Sequence, residues 1–161
     1  MAAQLWLLRH GEAEPHDARS DDDRRLTERG EAQARDAGRA LAALGVHFGL
    51  VFTSPKVRAF DTARLTCEAL SVEPVAHPPL GAGLDVHEAL ALAAAGGPDG
   101  RTLLVGHEPD LSNVVHELTG GRAQMKKGGL AAIALRSTTG GELLALLRPR
   151  ELRGLAARGA P

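Results

Sequence analysis

Two histidines in this chain each follow a short apolar run and stand beside groups suited to an anion. Leu5-Trp6-Leu7-Leu8 leads into Arg9-His10-Gly11, and Thr102-Leu103-Leu104-Val105 leads into Gly106-His107-Glu108-Pro109. Runs of this length suit buried strands, and the glycine next to each histidine lets the chain turn sharply where the strand stops. An arginine beside an imidazole at the end of a buried strand points to an anion handled by a nucleophile or a base. A further arginine, Arg58, follows Ser54-Pro55 in the first turns of an expected helix. Backbone N–H groups at a helix N-terminus attract anions, and a guanidinium adds a bidentate fork to a phosphate. Two arginines, two histidines and a helix N-terminus, with no evident metal-ligand set, describe a pocket for a phosphoryl group treated without a metal.

The elements that must bring these groups together alternate between strand and helix. Gln4 to Arg9 reads as the first strand, and Asp17 to Arg25 as a polar loop. Thr27 is placed to cap a helix running to about Leu44, with Glu28 and Glu31 in its first turns, Ala34, Ala37, Leu41 and Leu44 at helical spacing, and Gly45 closing it. Leu50 to Thr53 is the second strand. Ser54 as N-cap and Pro55 in the first turn open a second helix, with Ala59, Ala63, Cys67 and Leu70 on one face. A short strand at Pro74 to Ala76, a Pro- and Gly-rich loop over Pro78 to Gly83, and a helix capped by Asp85 come next, up to the turn cluster at Gly96 to Gly100. Thr102 to Val105 forms a strand and Pro109 to Leu118 a helix. Leu130 to Leu135 and Glu142 to Leu147 read as an antiparallel hairpin, with a helix or tail over Arg148 to Arg158. This alternation predicts a largely parallel sheet with helices on both faces, and such sheets bind ligands beyond the carboxyl ends of their strands. The two histidine-bearing ends would meet at that edge.

Composition bounds the function classes. At 161 residues the chain is expected to form one domain over 1–161 with a hydrophobic core of its own. A net charge of −1 argues against a general nucleic-acid binder and against a polybasic membrane protein. Cys67 is the sole cysteine, which excludes an internal disulfide and a cysteine-based zinc cluster. No basic segment precedes the apolar residues before Arg9, so no signal peptide is expected, and no run approaches the roughly 20 apolar residues of a membrane-spanning helix. The expected location is the cytoplasm.

Four segments in order carry a resemblance: Leu8-Arg9-His10-Gly11-Glu12-Ala13, Leu26-Thr27-Glu28-Arg29-Gly30, Ser54-Pro55-Lys56-Val57-Arg58-Ala59 with Thr62, and Val105-Gly106-His107-Glu108-Pro109. They resemble the motifs of the histidine phosphatase superfamily, and in detail those of its small SixA-type phosphohistidine phosphatases, over nearly the whole chain. The resemblance implies a three-layer α/β fold of the phosphoglycerate-mutase kind, its mostly parallel sheet flanked by helices and ending in an antiparallel hairpin, with no cofactor. It implies that His10 is the nucleophile and becomes phosphorylated, and that Arg9, Arg58 and His107 hold the phosphoryl oxygens. Two nearby guanidinium groups disfavour a protonated His10, and the same field stabilises charge on a transferring phosphoryl group.

Many members of that superfamily place a carboxylic acid between the second arginine and the second histidine. Here the candidates are Asp85 and Glu88, each also readable as an ordinary cap or helix-surface residue. SixA-type proteins generally look short of such an acid. A phosphohistidine ring protonated on its other nitrogen can leave as neutral imidazole, whereas an alkoxide depends on an acid. The implied partner is therefore a phosphohistidine-bearing protein, such as the phosphotransfer domain of a two-component relay. The alternatives are a small phosphorylated metabolite, with a phosphatase acting on a sugar phosphate or nucleotide, and a non-catalytic phosphate-binding module. A small-molecule phosphatase would use a wide basic and polar lid, and beyond residues 13–25 and 78–100 the chain has little length for one. His16, His47, His77, His87 and His116 read as surface or edge residues, Cys67 as core, and Glu12 as local structure around the pocket. Asp21-Asp22-Asp23-Arg24-Arg25 reads as a solvated loop with room for a partner contact. Lys126-Lys127 reads as a solubilising turn, the alternative being an approach to the substrate's phosphate.

Overall fold

A computed structural model describes residues 2–159; positions 1, 160 and 161 of the expected domain lie outside the described residues. Strand β1 (Gln4–Arg9) is followed by helix α1 (Glu28–Ala43), β2 (Leu50–Thr53), α2 (Val57–Cys67), β3 (Val75–Ala76), α3 (Val86–Ala95), β4 (Arg101–Gly106), α4 (Asp110–Thr119), the hairpin β5 (Leu130–Leu135) and β6 (Gly141–Leu147), and α5 (Pro149–Arg158). The six strands form one sheet in the order β3-β2-β4-β1-β5-β6. β3, β2, β4 and β1 run parallel, and the hairpin adds to β1 in antiparallel fashion. The structure thus has the expected α/β architecture.

Period-two alternation divides the strand residues between two cores. Trp6 and Leu8 of β1, with Leu103 and Val105 of β4, pack against Ala37, Ala40 and Leu41 of α1, Ala59, Ala63 and Cys67 of α2, and Leu152 of α5. Leu5 and Leu7 of β1, with Leu104 of β4, pack on the opposite face against Ala89 and Leu92 of α3 and Leu111 and Val115 of α4. Many of the helix residues at these contacts are alanines, which lets helix backbones approach the sheet closely. Burying each of the leucines contributes about 1.5–3 kcal/mol. Cys67 is buried, and burial pushes its thiol up to about 12, so it behaves as a small core residue. Leu44, expected on the buried stripe of α1, is 49% exposed instead. It stands at the C-cap, where the chain leaves the helix and the apolar stripe no longer faces the sheet.

A second difference lies at α2. The helix begins at Val57 with Lys56 as N-cap, so Ser54 does not cap it. Ser54 Oγ accepts from the Lys56 N–H (3.2 Å) while Ser54 itself is fully buried at the end of β2. The hydroxyl is therefore available to a neighbouring strand end. β4 is that neighbour, pairing with β2 on one side and β1 on the other, and Arg9 is in register with Gly106. His10 and His107 consequently leave the sheet side by side.

Candidate active site

The carboxyl end of β1 is held from several sides. The His10 N–H donates to Gly106 O (3.1 Å), the Gly11 N–H to Thr62 Oγ1 on α2 (3.0 Å), and the Gly128 N–H to the carbonyls of Arg9 and His10 (3.1 and 2.8 Å). Thr62 donates its hydroxyl to Arg58 O (2.7 Å), so one side chain ties α2 to the turn after His10. On the α1 side, Thr27 Oγ1 accepts from the Gly30 N–H (3.1 Å) and the Thr27 N–H donates to Glu12 O (3.0 Å). A Cβ on Gly11 would lie 2.6 Å from Gly30 O, and one on Gly30 would lie 2.0 Å from Glu12 O. Both glycines are therefore needed for the backbone of α1 to touch the backbone that follows His10.

Within this mount the tautomer of His10 is set. Nδ1 lies 2.7 Å from Gly11 O, and a carbonyl oxygen can only accept. The proton is therefore on Nδ1, and Nε2 keeps its lone pair. The residue is 5% exposed. Burial, reinforced by His107, Arg58 and Arg9 and opposed by the Gly11 carbonyl, pushes its pKa down to about 3. The imidazole is neutral at neutral pH.

His107 sits 5.2 Å from it, ring centroid to ring centroid. Its Nε2 pairs with Ser54 Oγ (2.8 Å), the hydroxyl left free by the late start of α2. Burial first, then Arg58 and Lys56, lower its pKa to about 4, with Asp21 acting in the opposite direction. When Ser54 donates to Nε2, the ring proton is on Nδ1. That atom, with Nε of Arg9 and Nε of Arg58, is buried without a hydrogen-bond partner among the described residues. Unpaired buried polar atoms are costly, and these three belong to side chains that line one cavity.

The guanidinium groups are held by the protein at their outer nitrogens. Arg9 Nη1 donates to Met125 O (2.9 Å). Arg58 Nη1 donates to Asp21 O (2.6 Å) and Nη2 to Asp21 Oδ2 (3.3 Å). Asp21 also receives Lys56 Nζ (2.8 Å) and Arg24 Nε (3.2 Å). The Lys56 hydrogen bond, with Arg58 beside it, holds the Asp21 carboxyl far below the usual carboxylate range. Burial lowers the pKa of both Arg9 and Arg58, and in each case a carboxylate opposes it, Glu108 for Arg9 and Asp21 for Arg58. The result is a cavity of about 390 Å³ whose walls include Arg9, His10, Arg24, Lys56, Arg58 and His107.

The structure brings Arg9, His10, Arg58 and His107 together, but not Asp85 or Glu88. Asp85 accepts from the Glu88 N–H (2.9 Å) as N-cap of α3, and Glu88 Oε1 lies 2.6 Å from His77 Nε2. Neither lines the cavity. Its carboxylates are Asp21, Glu108 and Asp110. Glu108 accepts from the N–H and hydroxyl of Ser112, and Asp110 from the N–H groups of Gly83 and Leu84 (3.0 and 3.3 Å). His16, an exposed residue as expected, and Lys127 also line the cavity. Sequence reading missed the work of Asp21, Ser54 and Thr62. The signal for Asp21 was its acidic run in the loop between the first histidine motif and the Thr27 motif, and for Ser54 and Thr62 their place inside the Arg58 motif.

Residues 5–81 match the model of the histidine phosphatase superfamily (branch 1). An uncharacterised protein of Picosynechococcus sp. is 33% identical, over 92% of this chain and 98% of its own length. The protein histidine phosphatase SixA, solved as a tungstate complex, superposes with a TM-score of 0.83 at 27% identity, covering 92% of this chain and 99% of that one. The chain belongs to the histidine phosphatase superfamily. Within it, this histidine phosphatase also resembles a SixA protein from Nakamurella multipartitia, with a TM-score of 0.77 at 25% identity over 92% of this chain and 97% of the other. Among its described residues no helix is long and apolar enough to cross a membrane.

Proposed function

We propose that this histidine phosphatase removes phosphate from phosphohistidine on a protein, working through a phosphorylated His10 without a metal ion, in the cytoplasm. The observation that carries the reading is the Nδ1 hydrogen bond from His10 to Gly11 O, which leaves Nε2 unprotonated and the ring neutral. In the first step Nε2 attacks phosphorus and the P–N bond to the substrate histidine breaks, its electron pair staying on the leaving nitrogen. A substrate ring protonated on its other nitrogen departs as neutral imidazole. Water then attacks phospho-His10, the second P–N bond breaks, and inorganic phosphate is released. Arg9, Arg58 and His107 would surround the phosphoryl oxygens and stabilise charge as it develops.

The carboxylates support a nitrogen leaving group over an alkoxide. Those lining the cavity are Asp21, tied to three cations, Glu108, tied to Ser112, and Asp110, tied to backbone N–H groups. Each is an acceptor already in use, so among the described residues no free carboxylic acid lines the cavity to protonate an oxygen. The described residues also contain no group of three or more His, Cys, Asp or Glu able to hold a metal ion. The proposed partner is a phosphotransfer domain of a two-component relay.

A substrate panel tests this. Phosphohistidine protein and phosphoramidate should be cleaved at least about 100-fold faster than an alkyl phosphate, the scale on which general-acid assistance is felt. Acid-labile phosphate should be trapped on wild-type His10 and be absent from His10→Ala, and EDTA should leave the rate unchanged. Rapid alkyl phosphate cleavage would move the chain to the small-molecule reading. Activity lost to EDTA and restored by a divalent ion would overturn the metal-free mechanism.

A further inference from the structure

The phosphate cavity shares Arg9, His16, Arg24 and Lys127 with a larger groove of about 900 Å³. Its other walls come from separate parts of the chain: residues 12–15, the first turns of α1 with Arg29, Lys126 ahead of β5, and Arg148 to Arg150 at the start of α5. Seven of the chain's 19 Lys and Arg line this groove, against two of its 20 Asp and Glu, although the net charge of the whole chain is −1. The two acids are already engaged. Glu12 pairs with Thr27 Oγ1 (3.2 Å) and Arg29 (3.7 Å), and Glu14 with Arg19 (2.8 Å). Lys126, Lys127 and Arg150 are exposed.

Like charges brought together repel, and a lone phosphoryl group does not require them, because Arg9, Arg58 and His107 already stand round its cavity. A concave surface of one sign instead raises the local concentration of a partner of the other sign and sets its register. Among the described residues no Phe, Trp or Tyr lines the groove, which leaves the His16 ring and the arginine planes as its surfaces for stacking a base. We infer that this groove docks an acidic segment flanking the phosphorylated histidine of a protein substrate, received first by Lys126, Lys127 and Arg150, with Arg29 and Arg148 shared with Glu12 (3.7 Å) and Glu151 (2.8 Å). The inference rests on the phosphohistidine reading above and adds the chemistry by which the protein substrate is chosen.

The test compares two phosphohistidine peptides differing only in their flanks, one rich in Asp and Glu and one rich in Lys, with phosphoramidate as a substrate that has no flank. The enzymes are the wild type and Arg29→Gln/Lys126→Gln/Arg150→Gln, which alters no residue of the phosphate cavity. For the wild type at low salt, kcat/KM should favour the acidic peptide by about tenfold or more, mainly through KM, and about 0.5 M salt should erase most of the gap. The triple variant should lose the preference while its phosphoramidate rate stays within about twofold. Equal cleavage of the two peptides by wild type, or an undiminished preference in the variant, would overturn the inference. Fluorescence anisotropy with an unphosphorylated, labelled acidic peptide reads docking without the chemistry. Binding to wild type that weakens in the variant supports the groove even if none of the phosphorylated substrates is cleaved, an outcome that would remove the phosphatase reading alone. Absence of binding removes the groove. Tighter binding of a single-stranded oligonucleotide than of the acidic peptide would overturn the assignment to a protein partner.

Discussion

Arg58 gives both of its terminal nitrogens to Asp21, and this shapes what it can offer an anion. With Nη1 on the Asp21 carbonyl and Nη2 on its carboxylate, the plane of the guanidinium is set before any ligand arrives, and the buried Nε remains unpaired. Asp21 also draws in Lys56 and Arg24, so one exposed carboxylate arranges three cations around the cavity. A lysine at position 58 would keep the charge but not the fork, since an ammonium cannot bond Asp21 at two points and hold a third donor in the same plane. Arg58→Lys is expected to lower kcat/KM for phosphoramidate about 100-fold, and Arg58→Ala to remove on the order of 3 kcal/mol of transition-state stabilisation. Steady-state kinetics with protein of unchanged Tm checks both. A fully active lysine variant would show that charge alone is what this position supplies.

Elements place these residues, and here the limits of sequence reading are physical. The strand and helix order, the hairpin and the four clustered residues Arg9, His10, Arg58 and His107 were legible because they depend on local periodicity and on motifs of nearby residues. The partners of Asp21 were not, because Asp21 and Arg58 are separated by 37 positions and a loop rich in aspartate looks solvated without its fold. Ser54 was misplaced as a helix cap for a related reason. Ser-Pro favours a helix start, but the buried hydroxyl pairs with His107, 53 positions away. Asp85 and Glu88 were candidate acids by their interval in the chain, and the capping bond of Asp85 and the His77 pairing of Glu88 take them elsewhere. The Thr27-to-Gly30 segment was recognised as a motif, and the structure shows its mechanical reason: Gly30 is where α1 touches the backbone after His10. Gly30→Ala should therefore cost about 1–3 kcal/mol of stability and shift the His10 turn, lowering activity as well. Urea unfolding and phosphoramidate kinetics together check this. A neutral substitution would mean the α1 contact yields without strain.

At the scale of the whole molecule, the site binds its two histidines as neutral groups in a cationic surrounding, and that couples function to folding. In an unfolded chain each imidazole titrates near its ordinary value of about 6.5. In the fold His10 titrates at about 3 and His107 at about 4, with burial the leading cause for each and Arg9, Arg58 and Lys56 adding to it around the pair. Between these values and pH 6.5 the unfolded state binds more protons than the folded one. Stability therefore falls as pH is lowered through that window, by up to about 1.4 kcal/mol per pH unit for each histidine, and neither contributes above it. Asp21 acts in a lower range: its depressed carboxyl favours the fold above the ordinary carboxylate pKa, and that support is lost only on further acidification. From pH 7 to pH 5 the histidines should account for a loss on the order of 2–4 kcal/mol, read as the change in unfolding free energy in urea. His107→Gln removes one titrating group from the buried pair and should reduce the slope by about half over the same range. His10, the proposed nucleophile, stays neutral throughout, so kcat/KM for phosphoramidate should show no His10 ionisation near 6.5, and activity should persist at pH values where the protein has begun to lose stability. An unfolding free energy that is level between pH 7 and pH 5 would mean that His10 and His107 are not buried as neutral groups, and would remove the basis for Nε2 as a lone-pair donor at neutral pH.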